Sequence, residues 1–255
     1  MPPYRRGSRL RPSAAGRRWR QIAEAERKAL VAIYSRLYDA YGPQEWWPGD
    51  SPFEVIAGSI LTQSAAWSNV EKALANLKAA SALSPEGIAA LPEAELAQLI
   101  RPSGYFNAKA RKLKAFVELL NESFTGDLDR MLATPASELR PALLATRGIG
   151  PETADSILLY AAGQPVFVID AYTRRTFLRL GLVPEADNYD GWQRLFMRAL
   201  PADAPLFNEF HALIVRHGKD VCRKRPLCQK CPLLPICPVG SRGGSVASWL
   251  SRSGV

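Results

Sequence analysis

The stretch "T-R-G-I-G-P-E-T-A-D-S", residues 146–156, contains two glycines on either side of one apolar residue, followed directly by a proline. Gly148 and Gly150 allow a tight turn and a close approach of the backbone to a ligand, and we expect Ile149 to fill the core beneath. Proline favours the first position of a helix, so a helix is expected to begin at Pro151 with its free amides facing outward. The segment predicts two helices joined by a bare turn, which either binds a phosphate-like anion or simply links the helices.

Most of the remaining chain has apolar residues at helical spacing, and we predict an all-α fold. Ser51 and Pro52 are expected to start one helix, and Ser68 with Glu71 fits a capping box for the next. The strand-like run at 165–170 has no second run to pair with and predicts a buried extended connector. The other predicted helices span 21–41, 93–101, 106–122, 136–146, 151–162, 171–180, 188–199 and 205–218.

The formal charge of +9 over 255 residues makes a polyanion the first partner to consider. Residues 1–20 hold seven arginines and no acidic residue, which predicts a disordered basic arm or, alternatively, an organellar transit peptide. Residues 240–255 are rich in glycine and serine and predict a flexible tail. The longest apolar runs are far shorter than the roughly 20 residues that a membrane-spanning helix needs, so no membrane segment is expected.

The chain contains four cysteines, all within one short C-terminal segment, in the pattern Cys-x5-Cys-x2-Cys-x5-Cys. This clustering is typical of a zinc or iron–sulfur site and not of a secreted disulfide framework, so a reducing intracellular compartment is expected. A basic run lies between the first two cysteines and either contacts phosphate or is a solvated loop. The cysteines are Cys222, Cys228, Cys231 and Cys237, and the basic residues are Arg223, Lys224 and Arg225.

Asp170 ends the apolar run and precedes a predicted helix, so it is either only an N-cap or also an ionised group that stabilises charge or activates water. The tryptophans at 46, 47 and 67 flank the helix that begins near Ser51. Trp46, Trp47 and Trp67 are either core residues or flat surfaces on which an extruded base could stack.

Taken together, these motifs resemble the helix-hairpin-helix DNA glycosylases of the endonuclease III superfamily over residues 25–237. The hairpin is "R-G-I-G-P-E-T-A-D-S-I-L", the catalytic-aspartate segment is "V-I-D-A-Y-T-R-R", and the cysteine run is similar to the family's 4Fe-4S loop, with a first gap one residue shorter. The resemblance implies two helical lobes. One comprises 21–41 and 164–239 and carries the cluster, and the other comprises 42–163 and ends in the hairpin.

Two departures within the resemblance indicate a subtype. Bifunctional members carry a nucleophilic lysine where this chain has Glu152, and adenine glycosylases carry a glutamate where it has Gly58. A carboxylate cannot form the Schiff base that strand cleavage requires. The chain is most similar to the 3-methyladenine DNA glycosylase III branch, which has a hairpin glutamate like Glu152, a Trp-Trp-Pro segment like 46–48, an aromatic residue like Trp67 and a lysine like Lys219.

The resemblance implies a monofunctional glycosylase that acts as a monomer on double-stranded DNA and removes a flipped damaged base, foremost an alkylated purine such as 3-methyladenine. Asp170 would be catalytic and Glu152 would have a polar role at the base or a helix-terminal role. The implied cofactor is a 4Fe-4S cluster, with zinc as the alternative. Two other functions remain open at this point: a glycosylase for oxidised, deaminated or mismatched bases, with or without lyase activity, and a non-catalytic damage-binding module. The other implied contacts are a base pocket of Trp46, Trp47, Trp67 and Lys219, and DNA-binding residues Gly148, Ile149, Gly150, Arg223, Lys224 and Arg225.

Overall fold

The computed structural model describes the backbone of residues 14–241 and the side chains of residues 24–241. Every regular element in that part of the chain is helical, which confirms the predicted all-α fold. The α-helices are α1 (Ala14–Tyr41), α2 (Pro52–Leu61), α3 (Trp67–Ala79), α4 (Pro85–Ala90), α5 (Glu93–Leu99), α6 (Phe106–Phe124), α7 (Leu128–Ala133), α8 (Ala136–Ala145), α9 (Pro151–Ser156), α10 (Ala171–Leu180), α11 (Tyr189–Ala199), α12 (Ala204–Asp220) and α13 (Pro238–Ser241).

Polar caps set several of these helix starts. The Ser51 side chain accepts a hydrogen bond from the Glu54 amide at the start of α2, as the sequence predicts. The predicted capping box at Ser68 is wrong, because α3 begins at Trp67, and its N-cap, two residues before Ser68, is Ala66, which makes no side-chain hydrogen bond. Helices α4 and α7, of six residues each, were not expected from the sequence.

The segment before Asp170 carries no regular secondary structure, which agrees with the predicted extended connector. Helix α9 continues into a π-helical turn at Ile157–Ala161, so the second helix of the hairpin is wider at its C-terminal half. The connector then leads into α10.

Buried apolar side chains form two separate clusters. One lies among α2 to α9 and includes Ile149 of the hairpin turn, which is 4% exposed and fills the core as predicted. The other packs α1 against α10, α11 and α12, around Phe167 and its stacked neighbour Phe196. The connector and the hairpin therefore lie where the two clusters meet.

Both predicted termini differ in part from the structure. Helix α1 begins at Ala14, so residues 14–20 of the predicted disordered arm are helical, and residues 1–13 lie outside the described residues. Helix α13 includes Gly240 and Ser241 of the predicted tail, whose residues 242–255 also lie outside them. In the described part, no helix has the length and apolar character needed to cross a membrane.

Candidate functional site

A cleft of about 1140 Å³ opens between the two clusters. Its walls come from the loop between α2 and α3, the first turn of α9, the start of α10 and the end of α12. The cleft brings together many of the residues singled out in the sequence: Trp46, Trp47, Trp67, Glu152, Asp170, Lys219, Arg223 and Lys224. Gly148, Ile149, Gly150, Arg225 and the four cysteines are not among its lining residues.

Aromatic rings form one wall of this cleft. Trp47 lies at the centre, with its ring centroid 5.1 Å from Trp46, 5.2 Å from Trp67 and 5.2 Å from Tyr160. Sequence reasoning missed Tyr160, although it lies four and eight residues beyond Ser156 and Glu152, two other residues near the same face of the hairpin helix. Such spacing is the signal that could have found it. The three tryptophan rings line the cleft and provide flat surfaces suited to holding a base, whereas Tyr160 packs against Trp47 without lining the cleft.

Gly58 on α2 makes room for the Trp47 ring. A Cβ atom at this position would lie 3.2 Å from Nε1 and 3.3 Å from Cζ2 of Trp47. Both contacts are tighter than ordinary van der Waals separation, so the ring would have to shift. The absence of a side chain at position 58 therefore shapes the pocket.

Asp170 lies at the junction between the connector and α10, and it is 8% exposed. One carboxylate oxygen, Oδ1, accepts a hydrogen bond of 2.7 Å from the Thr173 amide, so Asp170 is the N-cap of α10, as the sequence predicts. The other oxygen, Oδ2, is 3.7 Å from Nε2 of His211 on α12. Asp170 therefore caps α10 with one oxygen and lines the cleft at the same time.

His211 is a site residue that sequence reasoning missed. It is 5% exposed, and its Nδ1 is 2.5 Å from the Tyr160 hydroxyl. Burial lowers the pKa of His211, and the nearby Asp170 only partly opposes this effect, so the imidazole is neutral. The sequence did offer a signal for His211, because histidine is rare in this chain: it occurs only twice, and both histidines lie on α12.

Glu152 occupies the first turn of α9 and lines the cleft together with Asp170. The residue has access to water in the cleft, yet protein atoms surround its carboxyl group closely. This burial, with the negative charge of Asp170 added, raises the pKa of Glu152 to about 7. Glu152 therefore exchanges a proton near neutral pH.

The hairpin turn is held from two sides. Gly148 has a φ of 86°, and a Cβ atom there would lie 2.5 Å from Cγ of Lys112. Lys112 donates to the Gln63 side chain, and Gln63 in turn donates to the Gly148 carbonyl over 3.3 Å and to the Thr153 hydroxyl over 2.8 Å. No side chain caps α9, which leaves the start of that helix open to an external anion.

The cysteine segment is bound to α10 through backbone carbonyls. Arg175 donates to the carbonyls of Cys222 and Gly218 over 2.8 Å each. Arg179 donates to the carbonyls of Arg223 and Lys224 and, over 3.2 Å, to Sγ of Cys222. The basic residues of the loop are therefore anchored to the helix that Asp170 caps.

None of the four cysteines forms a disulfide, and Cys222 is the most buried of them. Burial raises the pKa of Cys231 to about 11, and the other three thiols act on it in the same direction, so the four side chains lie near one another. Among the described residues, no three histidine, cysteine or acidic side chains converge closely enough to hold a single metal ion. An all-sulfur donor set of this kind suits the chemistry of a thiolate-bound iron–sulfur or zinc centre.

Comparison with known proteins relates this chain to DNA repair. Residues 57–202 match the model of the HhH-GPD superfamily base excision DNA repair proteins. A protein of Methanocaldococcus jannaschii whose name assigns it to the DNA repair glycosylases is 44% identical over 208 residues, which cover 81% of this chain and 94% of the relative. Endonuclease III of Sulfolobus acidocaldarius is 30% identical over 68% of this chain and 75% of its own length.

Solved structures give the same result. The crystal structure of Helicobacter pylori 3-methyladenine DNA glycosylase bound to 1,N6-ethenoadenine has a TM-score of 0.62 and 30% identity, over 77% of this chain and 97% of that chain. A trapped endonuclease III–DNA covalent intermediate has a TM-score of 0.72 over 85% of this chain and 97% of that chain, and at 22% identity it shows the shared fold. The chain belongs to the HhH-GPD superfamily of base excision DNA repair proteins. Within that superfamily, it is a DNA repair glycosylase.

Proposed function

We propose that the protein is a monofunctional DNA glycosylase that hydrolyses the N-glycosidic bond of a flipped alkylated purine, such as 3-methyladenine. The strongest support is the composition of one cleft, which Asp170 and Glu152 line together with the rings of Trp46, Trp47 and Trp67. Alkylation of a purine ring nitrogen gives the base a positive charge, and aromatic faces and carboxylates both attract a cation. The similarity to the Helicobacter pylori 3-methyladenine glycosylase adds independent support.

Asp170 is the catalytic residue of this proposal. Departure of the base leaves an oxocarbenium-like sugar, which a fixed carboxylate stabilises while it directs water to the sugar carbon. Because a cationic base leaves without being protonated, the site needs no strong general acid. The neutral His211 agrees with that requirement.

DNA would be held by the two elements flanking the cleft. The uncapped start of α9, with the bare turn at Gly148 and Gly150, suits a backbone phosphate. Arg223 and Lys224 line the other side and are exposed, as is Arg225 beyond the rim. The damaged nucleotide would then rotate into the cleft between them, against the aromatic wall.

The cysteine loop would contribute to DNA binding by presenting its basic residues at a fixed position. A 4Fe-4S cluster bound by Cys222, Cys228, Cys231 and Cys237 would stabilise the loop, and zinc is the alternative. Iron content and visible absorbance distinguish the two, because a zinc site is colourless. We further propose that the enzyme acts as a monomer inside the cell.

Base release from a panel of duplexes tests the proposed function. The panel contains alkylated, oxidised, deaminated and mismatched bases, and we expect release from the alkylated purines with the DNA strand left intact. Borohydride added during the reaction should trap no covalent complex, because Glu152 cannot form a Schiff base. A trapped complex would instead identify a lysine nucleophile, for which Lys219 in the cleft is the candidate. Release confined to oxidised or mismatched bases would overturn the substrate class.

The pKa of Glu152 predicts a specific pH dependence. As the pH rises through about 7, Glu152 loses its proton, and its negative charge then adds to that of Asp170 in stabilising the positive charge that develops on the sugar as the base leaves. Release of an alkylated purine should therefore rise through this range in the wild-type protein and stay flat in a Glu152→Gln variant. At pH 8 we expect the variant to be about fivefold slower, which corresponds to about 1 kcal/mol for one screened charge interaction. Single-turnover rates from pH 6 to 8 measure this, and identical profiles would contradict it.

A further inference from the structure

Three polar side chains, of Tyr160, His211 and Asp170, form a row from the aromatic wall to the proposed catalytic carboxylate, and His211 and Asp170 are buried. The Tyr160 ring packs against Trp47, and its hydroxyl lies 2.5 Å from Nδ1 of His211. The opposite nitrogen of the imidazole, Nε2, lies 3.7 Å from Oδ2 of Asp170. Tyr160 and His211 come from different helical segments, 51 residues apart in the chain.

The chemistry of this row fixes where each proton lies. Burial, with the charge of Asp170 added, raises the pKa of Tyr160 well above its ordinary value, so the phenol keeps its proton. The neutral imidazole has one N–H, and a bare Nε2 would direct its lone pair at the Asp170 carboxylate, so the proton lies on Nε2. Nδ1 is then bare and accepts the hydrogen bond from the Tyr160 hydroxyl.

Nε2 of His211 is a buried donor without a hydrogen-bond partner among the described residues. Asp170 Oδ2 at 3.7 Å is the acceptor it faces, about 0.5 Å or more beyond the usual range for N–H···O hydrogen bonds. A buried donor left unpaired is costly, so a small movement that closes this gap is favourable. The other oxygen of Asp170 is already fixed by the Thr173 amide.

We propose that His211 is a positioning residue for Asp170, and that Tyr160 holds it in the tautomer this role requires. The Thr173 amide and the His211 N–H would then hold one oxygen each, which orients the carboxylate toward the sugar and keeps it ionised. Because the Tyr160 ring packs against Trp47, which lines the cleft, a base seated against Trp47 and the orientation of Asp170 are linked through Tyr160 and His211. This inference rests on the proposed glycosylase function.

The test compares variants that remove or restore the polar contacts of His211 with Tyr160 and Asp170. His211→Phe keeps a buried ring but removes the donor, and we expect single-turnover base release to fall about 50-fold, within the range seen when partners that orient reactive groups are removed. The dissociation constant for duplex DNA should change less than threefold. His211→Gln restores an N–H and should recover most of the lost rate. Tyr160→Phe removes the hydroxyl that bonds to Nδ1 of His211, so the imidazole proton is no longer held on Nε2. Base release should slow about tenfold.

Tyr41→Phe is the matched control. Tyr41 makes the same type of bond with the chain's other histidine, over 2.8 Å to Nδ1 of His217, and it does not line the cleft. Its loss should leave the rate unchanged. Thermal melting checks that each variant is folded, and if His211→Phe does not fold, Tyr160→Phe and His211→Gln still decide the matter.

Each outcome has a defined meaning. Wild-type rates in His211→Phe or in Tyr160→Phe would overturn the inference, as would a His211→Gln variant as slow as His211→Phe, since the role would then be steric. Failure of the wild-type protein to release any base would overturn the proposed function itself, which separates the two conclusions.

Discussion

An Asp170→Asn variant is expected to lose base release by a factor of about a thousand or more, a range reached when a group that stabilises the transition state electrostatically is removed. Asparagine has nearly the same shape and is an equally good N-cap, so its side-chain oxygen can still accept from the Thr173 amide. What it removes is the negative charge that faces the sugar. Single-turnover release of an alkylated purine measures the loss.

Duplex binding should persist in this variant, because the proposed DNA contacts at the hairpin turn and the basic loop are untouched. Asp203→Asn is a suitable control, since Asp203 caps α12 in the same manner, accepting from the Leu206 amide over 2.9 Å at an exposed position. It makes the same chemical change outside the cleft and should retain full activity. Full activity in Asp170→Asn would end the catalytic assignment.

The second large effect concerns stability. Asp155 on α9 is fully buried and accepts from both Nε and Nη2 of Arg140, at 2.7 and 3.1 Å, and from Gln193 at 2.7 Å. Gln193 also donates to the Phe167 carbonyl in the connector. The network therefore joins the two hairpin helices, α8 and α9, to α11 in the other cluster and to the segment that leads to Asp170.

Replacing Asp155 with alanine leaves the Arg140 guanidinium half-buried without its main partner. Removing one member of a buried ion pair typically lowers the free energy of unfolding by about 3–5 kcal/mol, and we expect a loss of that size in urea denaturation. Asp190→Ala is the matched control, because Asp190 is an exposed partner of the same arginine at 3.6 Å. It should cost less than about 1 kcal/mol. Equal losses of unfolding free energy in the two variants would show that the pairing of Asp155 with Arg140 is not the source of the stabilisation.

The features that the sequence predicted correctly depend on neighbouring residues. The caps at Ser51 and Asp170 and the core position of Ile149 each follow from a few adjacent side chains, and the structure contains all three. The capping box at Ser68 failed for a tertiary reason: the α3 start at Trp67 packs its ring against Trp46 and Trp47, which come from a distant loop. Long-range packing outweighed the local signal.

The residues that were missed act through contacts between distant parts of the chain. His211 is identified as a site residue only by its contacts with Tyr160 and Asp170, which lie on other segments of the chain. In the sequence, Asp155 looks like an ordinary polar residue of an amphipathic helix. The structure shows that it is bonded to Arg140 and Gln193. One sequence gives residue types and their spacing along the chain, and these sites depend on spacing in three dimensions. The assignments of Asp170, Glu152, Lys219 and the cysteines remain predictions until the variants are measured.

The empty space beside Gly58 also bears on how this pocket can change during evolution. A side chain at position 58 would begin 3.2 Å from the Trp47 ring, at the place where adenine glycosylases are expected to carry their glutamate. A side chain at position 58 and the Trp47 ring would therefore crowd each other, and the ring would have to move by a few tenths of an ångström. A substitution at position 58 would thus act on the base indirectly, by displacing the ring against which the base is proposed to stack.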